Sequence, residues 1–385
     1  MSKFEISRRE FLKASAASLF LAGVPISGYT KDKPPGTISV IVLEGGMDGL
    51  SAVPPFGDQN LMKLRRGVTP DNFLKLNSFF GLHPSLKTFS ALLARNNASI
   101  VHATNFPYTL RSHFEGQNLM EGGGLSPFAE NTGWLGRSLD LANLGGRALS
   151  LDMPLILRGN NDNDNYFPAN IRDTKKQLNS KLMNALAMAH NNNEADVFNK
   201  LSKKYVGSSR RDPASLAKYA GQEMAKENGP LASVIRVDRF DTHAFQDTDM
   251  GNFQLSSQLQ VVDEVIAGYR EGLGKAWNKS IILTLTEFGR TVRENGTWGT
   301  DHGYGSAGLL AGGAITKSGV ISEWPGLANN EQFEQRDLMS TIDYRSVCAA
   351  CIEKALGLDH DLIASKVFST PKLPRVYDHI FSQPA

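Results

Sequence analysis

Acidic and imidazole side chains occur in small groups along this 385-residue sequence, most of them just after a run of apolar residues. They are Asp48, Asp241, His243, Glu287, Asp301 and His302. Carboxylates gathered at one place raise one another's pKa values unless a cation lies among them. Mixed carboxylate and imidazole ligands suit zinc, manganese or a similar divalent ion, and two such ions can stabilise both oxygens of a displacement reaction. The pattern therefore predicts a metal site with one or two ions, provided that the fold brings these residues together.

The elements that must position these residues are strands. Five β-rich runs predict buried strands that end in polar residues, at 37–46, 98–104, 148–159, 231–241 and 280–289. Helical stretches lie between and after them, at 82–97, 252–273 and 343–358. Alternation of this kind predicts an α/β fold with a mostly parallel sheet covered on both faces. Ligands in such sheets bind beyond the carboxyl ends of the strands, where the acids and histidines follow.

Each group also has a simpler interpretation. Asp241 and His243 can be a hydrogen-bonded loop pair, and an Asp-His-Gly triplet can be a turn. Glu287 and Arg290 can form a salt bridge within their own loop. The shared position of these groups after predicted strands favours a common site.

The amino terminus carries an export pattern. Arg8 and Arg9 precede Phe11 and Leu12, and a weakly apolar run follows that is too short to span a bilayer. This order predicts a twin-arginine signal over residues 1–30, and an amphipathic first helix is the alternative. The protein is then expected in the periplasm or secreted, with the export machinery as a partner and no stable transmembrane span, although an uncleaved anchor stays open.

Composition limits the remaining classes. The formal net charge is +2, so no basic field favours nucleic acid as a partner. Cys348 and Cys351 are the only cysteines, and their spacing on an apolar helix predicts packing rather than a disulfide or a redox pair. Residues 31–385 are expected to form one domain, with a polar helical insertion at about 172–230.

Longer motifs resemble a known family. The stretches "VIVLEGGMDGLSAVPP", "TNFPYTLRSHFEGQNLMEGG", "RFDTHAFQ" and "TEFGRTVRENGTWGTDHGYG" are similar, in order and spacing, to the exported bacterial family called domain of unknown function 1501. The likeness covers nearly all of the chain after the signal. It implies membership of the alkaline phosphatase and sulfatase superfamily, with an alkaline phosphatase-like three-layer α/β/α sandwich and a two-metal site.

The resemblance also implies roles for single residues. Asp48 lies where the first strand's metal-binding aspartate belongs, and His302 matches the histidine of the superfamily's Asp-His-Gly stretch. Asp241 and His243 resemble the Asp and His ligand pair, but one residue separates them where the superfamily usually has three. Glu287 stands where the superfamily tends to have adjacent Asp and His, which implies that the two-metal site is reduced to one ion or rearranged.

The resemblance also implies a nucleophile at the start of the helix after the second strand region, where the superfamily's hydrolases carry a Ser, Thr or modified Cys. There "PYTLRSHFEGQ" supplies Thr109 and Ser112, of which Ser112 is preferred, beside His113. Arg111 or Arg290 is expected to bind the oxygens of the substrate. Alternatively, Ser112 caps the helix that follows.

The expected function is an exported metal-dependent hydrolase of phosphate or sulfate esters, with zinc, manganese or calcium as the metal. Its substrate is expected to be a small-molecule or glycan ester. The alternative is a catalytically silent exported scaffold or binding protein on the same fold. A third interpretation, a carbohydrate-binding surface protein, depends on Trp134, Trp298 and Trp324 lying in or near loops.

Overall fold

A nine-stranded sheet forms the centre of the fold in the computed structural model, which describes residues 36–148, 153–165, 213–247 and 254–382. Its strands are β1 (Thr37–Leu43), β4 (Ala98–Asn105), β5 (Gly146–Ala148), β6 (Asp164–Asn165), β7 (Ala232–Val237), β8 (Ser280–Thr286), β9 (Ser306–Ala311), β10 (Val320–Ile321) and β11 (Ile342–Asp343). The order is β10-β4-β9-β8-β1-β7-β5-β6, and β11 also pairs with β4. Strand β9 runs antiparallel to both of its neighbours, and the other pairings are parallel. A separate hairpin joins β2 (Leu74–Lys75) to β3 (Gly81–Leu82).

Strand β1 shows why the sheet needs a layer on each face. All seven of its residues are buried. Val40 and Val42 pack into one hydrophobic core, whereas Ile41 and Leu43 pack into another. Successive side chains of a strand point to opposite faces, and each buried aliphatic side chain stabilises the fold by about 1.5–3 kcal/mol. The expected three-layer α/β/α arrangement with a mostly parallel sheet is therefore confirmed.

The helices divide between the two faces. One core contains residues of α3 (Lys87–Leu93), α6 (Pro213–Met224) and α7 (Gln254–Leu273). The other contains residues of α4 (His113–Gly122), α5 (Trp134–Leu141) and α8 (Tyr344–Leu356), with a π-helical turn at Ile363–Val367 and α10 (Tyr377–Ile380). The shorter helices are α1 (Gly49–Ala52), α2 (Leu61–Leu64), α9 (His360–Leu362) and the 3-10 turns Leu155–Leu157 and Gly274–Lys279. Among the described residues, no helix combines the length and the apolar character needed to cross a membrane.

Four of the five predicted strands are present as β1, β4, β7 and β8, and the predicted helices correspond to α3, α7 and α8. The strand predicted at 148–159 is wrong at Leu155–Leu157, which form a 3-10 turn directly after Pro154. A proline has no N–H to donate to a sheet, so an apolar run that begins after it need not continue one.

Two other expectations concern residues that lie partly or wholly outside the described ranges. The predicted export signal at 1–30 is outside them, as is most of the predicted insertion at 172–230. The described end of that insertion, α6, is not a separate lobe, because Leu216, Ala217 and Met224 pack into the core beside the sheet. Both cysteines are buried in α8 and free, in agreement with a packing role.

Candidate metal centre

The carboxyl ends of β1, β4, β7 and β8 share one edge of the sheet, since these four strands run in the same direction. Asp241 and His243 follow β7, Glu287 follows β8, and His113 follows β4. His302 reaches the same edge in the opposite way, because it precedes β9, the antiparallel strand. The topology thus brings together residues that are up to 189 positions apart in the sequence.

An extended arm carries Asp301 and His302. We use the name site arm for residues 289–304, which connect β8 to β9. Its two halves pair through backbone hydrogen bonds from Gly289 N to Tyr304 O and from Gly303 N to Gly289 O, both of 2.8 Å. A third bond joins Thr291 N to Asp301 O at 2.9 Å. The pairing sets His302 directly opposite Arg290.

Three side chains, His113, Asp241 and His302, place possible ligand atoms within 4.8 Å of one another, and His243 lies beside two of them. His243 Nε2, His302 Nε2 and Asp241 Oδ1 lie 3.0 Å from one another. His113 Nε2 lies 3.5 Å from Asp241 Oδ2, and it is buried without a hydrogen-bond partner among the described residues. Zinc–nitrogen bonds of about 2.0–2.1 Å in a tetrahedron separate ligand atoms by about 3.3 Å, which is close to the spacing seen here.

The second nitrogen of each histidine faces an acceptor, which suits a ring that binds a metal ion through Nε2. His113 Nδ1 donates to Glu287 Oε1 at 2.9 Å, His243 Nδ1 donates to Asp301 Oδ1 at 3.0 Å, and His302 Nδ1 donates to the carbonyl of Arg111 at 2.9 Å. Carboxylates and carbonyls only accept, so a neutral ring that binds a metal ion through Nε2 carries its hydrogen on Nδ1. Metal-binding histidines are held in the same way.

The charges at this point favour a cation. Two Nε2 lone pairs 3.0 Å apart repel each other unless a proton or a metal ion lies between them. Asp241 and then Glu287 raise the pKa of His113 to about 9. Burial alone would raise the pKa of Asp241, but His113, His302 and Arg290 hold it well below its ordinary value. The donor set and the acceptors at each Nδ1 both fit a divalent metal ion.

Glu287, predicted as a metal ligand, lies behind His113. Its carboxylate is fully buried, and Oε1 accepts from His113 Nδ1, from Gly45 N at 2.8 Å and from Gln117 Nε2 at 3.2 Å. With three donors on one oxygen, this carboxylate orients His113. Asp301, also predicted as a ligand, has the corresponding position behind His243.

Arg290, predicted to bind substrate, has its guanidinium buried within the protein. Nη1 donates to Asp241 Oδ1 at 2.9 Å and to Gly45 O at 3.2 Å, and burial lowers the pKa of Arg290. Gly45 has φ of 118°, and a Cβ there would lie 2.4 Å from Asp241 N. Only glycine fits this approach between the ends of β1 and β7.

Asp48, predicted as the metal ligand of the first strand, does not join this group. It caps α1, and its Oδ2 pairs with Arg65 and accepts from Ser51 at 2.7 Å and Gln246 at 2.6 Å. Its lone pairs are thus used within the protein. The same Gln246 accepts from Thr300, which in turn accepts from Arg290, so Asp48 belongs to a buried polar network beneath the centre.

The segment before α4 differs from expectation in its side-chain directions. The Arg111 guanidinium pairs with Asp337 and Glu334, and only its carbonyl faces the centre. Ser112 occupies the N-cap position, but its hydroxyl makes no capping hydrogen bond. Ser112 is therefore next to a candidate ligand, His113, without a capping role.

Several supporting residues were not foreseen from the sequence: Arg65, Gln117, Gln246 and Asn295. The Asn295-Gly296 pair is a common turn signal that could have indicated the tip of the site arm. Asn295 Oδ1 accepts from Thr297 N at 3.0 Å and Gly299 N at 3.1 Å, while Nδ2 donates to the carbonyl of His243 at 2.9 Å. It thus joins the tip to the loop that carries a candidate ligand.

Comparison with solved structures finds distant matches. The C-terminal periplasmic domain of EcEptC from Escherichia coli is 11% identical, with 90% of this chain and 89% of that chain covered and a TM-score of 0.44. Ps i-CgsB in complex with k-i-k-neocarrahexaose is 10% identical over 85% of this chain and 73% of that chain, with a TM-score of 0.44. Alkaline phosphatase from the Antarctic bacterium TAB5 is 11% identical over 73% of this chain and 92% of that chain, with a TM-score of 0.30.

Comparison of the sequence with curated proteins gives no match. Residues 72–360, about three-quarters of the chain, match the sequence model of a family described as "Protein of unknown function (DUF1501)". The matched range includes every candidate ligand from His113 to His302, and this chain belongs to that family.

Proposed function

We propose that this protein is an exported metal-dependent hydrolase of phosphate or sulfate esters. One observation carries the proposal: ligand atoms of His113, Asp241 and His302 lie within 4.8 Å of one another with His243 Nε2 beside the last two, and the Nδ1 of each histidine faces an acceptor. Imidazole nitrogens and a carboxylate held in this way are typical ligands of a divalent cation. Its position beyond the carboxyl ends of the strands is where ligands bind in α/β sheets.

The residues that would hold the ion are His113, His243, His302 and Asp241. Three imidazoles favour zinc or manganese over calcium, which takes oxygen ligands. We propose one ion, since the carboxylate of Asp48 is used by Arg65, Ser51 and Gln246. A bound divalent ion can polarise an ester oxygen and lower the pKa of a water or hydroxyl group.

The other roles fall to residues of this chain. Ser112 directly precedes His113 and has a hydroxyl that does not cap α4, which supports it as the nucleophile. Ester oxygens would face the first turn of α4, where backbone N–H groups favour an anion. Arg290 keeps Asp241 ionised and in position. The substrate is a small-molecule or glycan ester.

A catalytically silent scaffold or binding protein on the same fold is the second candidate. The observation in its favour is that the guanidinium groups of Arg111 and Arg290 are both bound to carboxylates of the protein. Neither arginine is thus free to bind the oxygens of a substrate.

Activity and metal content distinguish the two. Purified protein is loaded with zinc or manganese and tested with a panel of phosphate and sulfate mono- and diesters. We expect hydrolysis by the parent protein, and loss of both bound metal and activity in His302→Ala. His379→Ala, which alters an exposed histidine on the short helix α10, is the control and keeps both. Metal-loaded protein that cleaves none of the panel would support the scaffold, and His302→Ala with an unchanged metal content would contradict the assigned centre.

A further inference from the structure

A polar cleft of about 370 Å³ opens beside the metal centre. Its wall includes Asp301, which holds His243, and Asn295, which anchors the tip of the site arm. The volume is within the roughly 300–1,000 Å³ of small-molecule sites. A ligand in this cleft lies next to the groups that orient His243.

The lining is rich in side-chain amides. They are Asn60, Asn295, Asn329, Gln332 and Gln335. Asn295 uses both ends of its amide in hydrogen bonds within the protein. Asn329 Nδ2 donates to Gln335 Oε1, and Gln332 Nε2 donates to the carbonyl of Leu327. The remaining amide atoms offer donors and acceptors, as a sugar hydroxyl does, and suit a polyhydroxylated ligand. The lining contains two positive residues, Arg293 and Arg336, and two negative residues, Glu294 and Asp301. Their charges are equal and opposite, so they create no strong field of one sign.

One cation of the cleft has no partner within the described part of the chain. Arg336 pairs with Asp337 at 3.0 Å, and Glu294 accepts from Gly67 N at 2.7 Å. The side chain of Arg293 is exposed and makes no hydrogen bond or ion pair with the described residues, although its backbone carbonyl accepts from Thr291 Oγ1. Its guanidinium is available to an anionic group of a ligand.

An exposed indole on the site arm lies outside the lining of the cleft but shares a neighbour, Gly67, with the lining residue Glu294. Trp298 is 47% exposed, and its ring stacks on Phe245 at 5.7 Å. Trp298 and Glu294 both approach Gly67, where an added Cβ would meet Trp298 Cδ1 at 3.3 Å and Glu294 Oε2 at 2.8 Å. An exposed aromatic ring can pack against the apolar C–H face of a sugar.

We propose that this cleft binds sugar residues of an acidic oligosaccharide, with Arg293 on an anionic group and Trp298 against a ring. The proposal rests on the proposed function, since the cleft would hold the part of a glycan ester that lies next to the ester group at the metal centre. It names the substrate class of the same site.

The probe for the test is a sulfated hexasaccharide, with the same hexasaccharide after desulfation as its neutral counterpart. Dissociation constants are measured by titration calorimetry for the parent protein and its variants. Arg293→Gln is expected to weaken binding of the sulfated probe about tenfold or more, with little change for the desulfated one. Trp298→Ala weakens binding of both probes, and Trp298→Phe restores most of it.

The matched control is Arg95→Gln, an exposed arginine that precedes β4 at the opposite end of that strand, and it is expected to bind as the parent protein does. Equal dissociation constants for the parent protein and Arg293→Gln would overturn the cleft proposal, even if esters are hydrolysed. Conversely, the protein could show the expected binding pattern and hydrolyse none of the esters. That result would support the cleft proposal and contradict only the hydrolase proposal.

Discussion

Residue types decide what the centre can do, but their partners decide which atoms are free to do it. Asp48 and Asp241 are both aspartates after parallel strands, yet Asp48 is neutralised by Arg65, whereas Asp241 faces three imidazoles. The sequence contains no local sign of this difference, because Arg65 is 17 residues from Asp48 and its guanidinium is directed there by tertiary packing. The spacing of acidic residues and histidines in the sequence therefore predicted where the site lies. It did not predict the role of each carboxylate.

At this scale, the charge of Glu287 is predicted to strengthen metal binding through His113. Glu287→Gln keeps an oxygen that accepts from His113 Nδ1 but removes the negative charge that makes the ring a better ligand. We expect metal affinity to fall by about 10–100-fold, measured by competition with a chelating dye. Glu353→Gln, at a partly exposed ion pair with Arg375, is the control and leaves the affinity unchanged. Equal affinities for parent and Glu287→Gln would show that Glu287 has no such role.

His102 offers a prediction about pH and stability. It is buried in β4, where its Nε2 donates to the carbonyl of Val53 at 2.9 Å, and burial lowers its pKa to about 4. An unfolded histidine has a pKa near 6.5, so below that pH the unfolded chain takes up a proton that the folded protein excludes. Stability from neutral His102 is fully present above about pH 6.5 and is lost as the pH falls toward 4.

The measurement is urea unfolding of the parent protein and His102→Gln at pH 8 and pH 5. We expect the parent protein to lose about 2 kcal/mol more than the variant over this interval. The other histidines are common to both proteins, so their contributions cancel in the comparison. An identical pH dependence in the two proteins would contradict a neutral, buried His102.

At the scale of elements, the strands differ in how far their own residues specify them. Strands β1 and β8 consist of β-branched and aliphatic residues that are buried on both faces, and their sequences predicted them. Strand β9, "SAGLLA", was missed because its small residues have weak strand preference alone. It forms by pairing with β4 and β8 on its two sides, and that pairing places His302.

The tip of the site arm should affect the metal centre through Asn295. Asn295→Ala removes the acceptor for two backbone N–H groups and the donor to the carbonyl of His243. We expect a loss of about 1–3 kcal/mol in the free energy of unfolding, together with weaker metal binding. Calorimetric unfolding and metal titration measure the two effects.

Asn77→Ala is the matched control for this variant. Asn77 also accepts from two backbone N–H groups, those of Phe79 and Phe80, in the β2–β3 hairpin. Its removal should cost similar stability and leave metal binding unchanged. If both variants bind metal as the parent protein does, the tip does not support the centre.

At the scale of the whole molecule, the class of the fold followed from alternation of strand and helix patterns, whereas the convergence of the site depended on strand order. Strand β1 lies between β7 and β8 in the sheet. Gly45, which follows β1, is therefore close to both Asp241 and Glu287. Strand order is set by long-range pairing, and a single sequence contains little information about it. For the same reason Gln117 and Gln246 could not be assigned to the centre in advance.

Export by the twin-arginine route remains a prediction, because the signal at residues 1–30 lies outside the described ranges. Replacement of Arg8 and Arg9 by lysine together is expected to retain the protein in the cytoplasm, since the exporter requires the arginine pair. Immunoblots of periplasmic and cytoplasmic fractions measure the distribution, and Lys3→Arg is the control. Equal periplasmic amounts of parent and variant would rule out this route.

The antiparallel direction of β9 has a consequence for substitutions in the site arm. Both ends of the site arm are anchored in adjacent strands, and Asn295 fixes its tip, so the backbone of the arm is held at three places. Arg293 and Trp298 are exposed side chains on this backbone. Substitutions at these two positions are therefore expected to change the surface beside the cleft while His302 keeps its position.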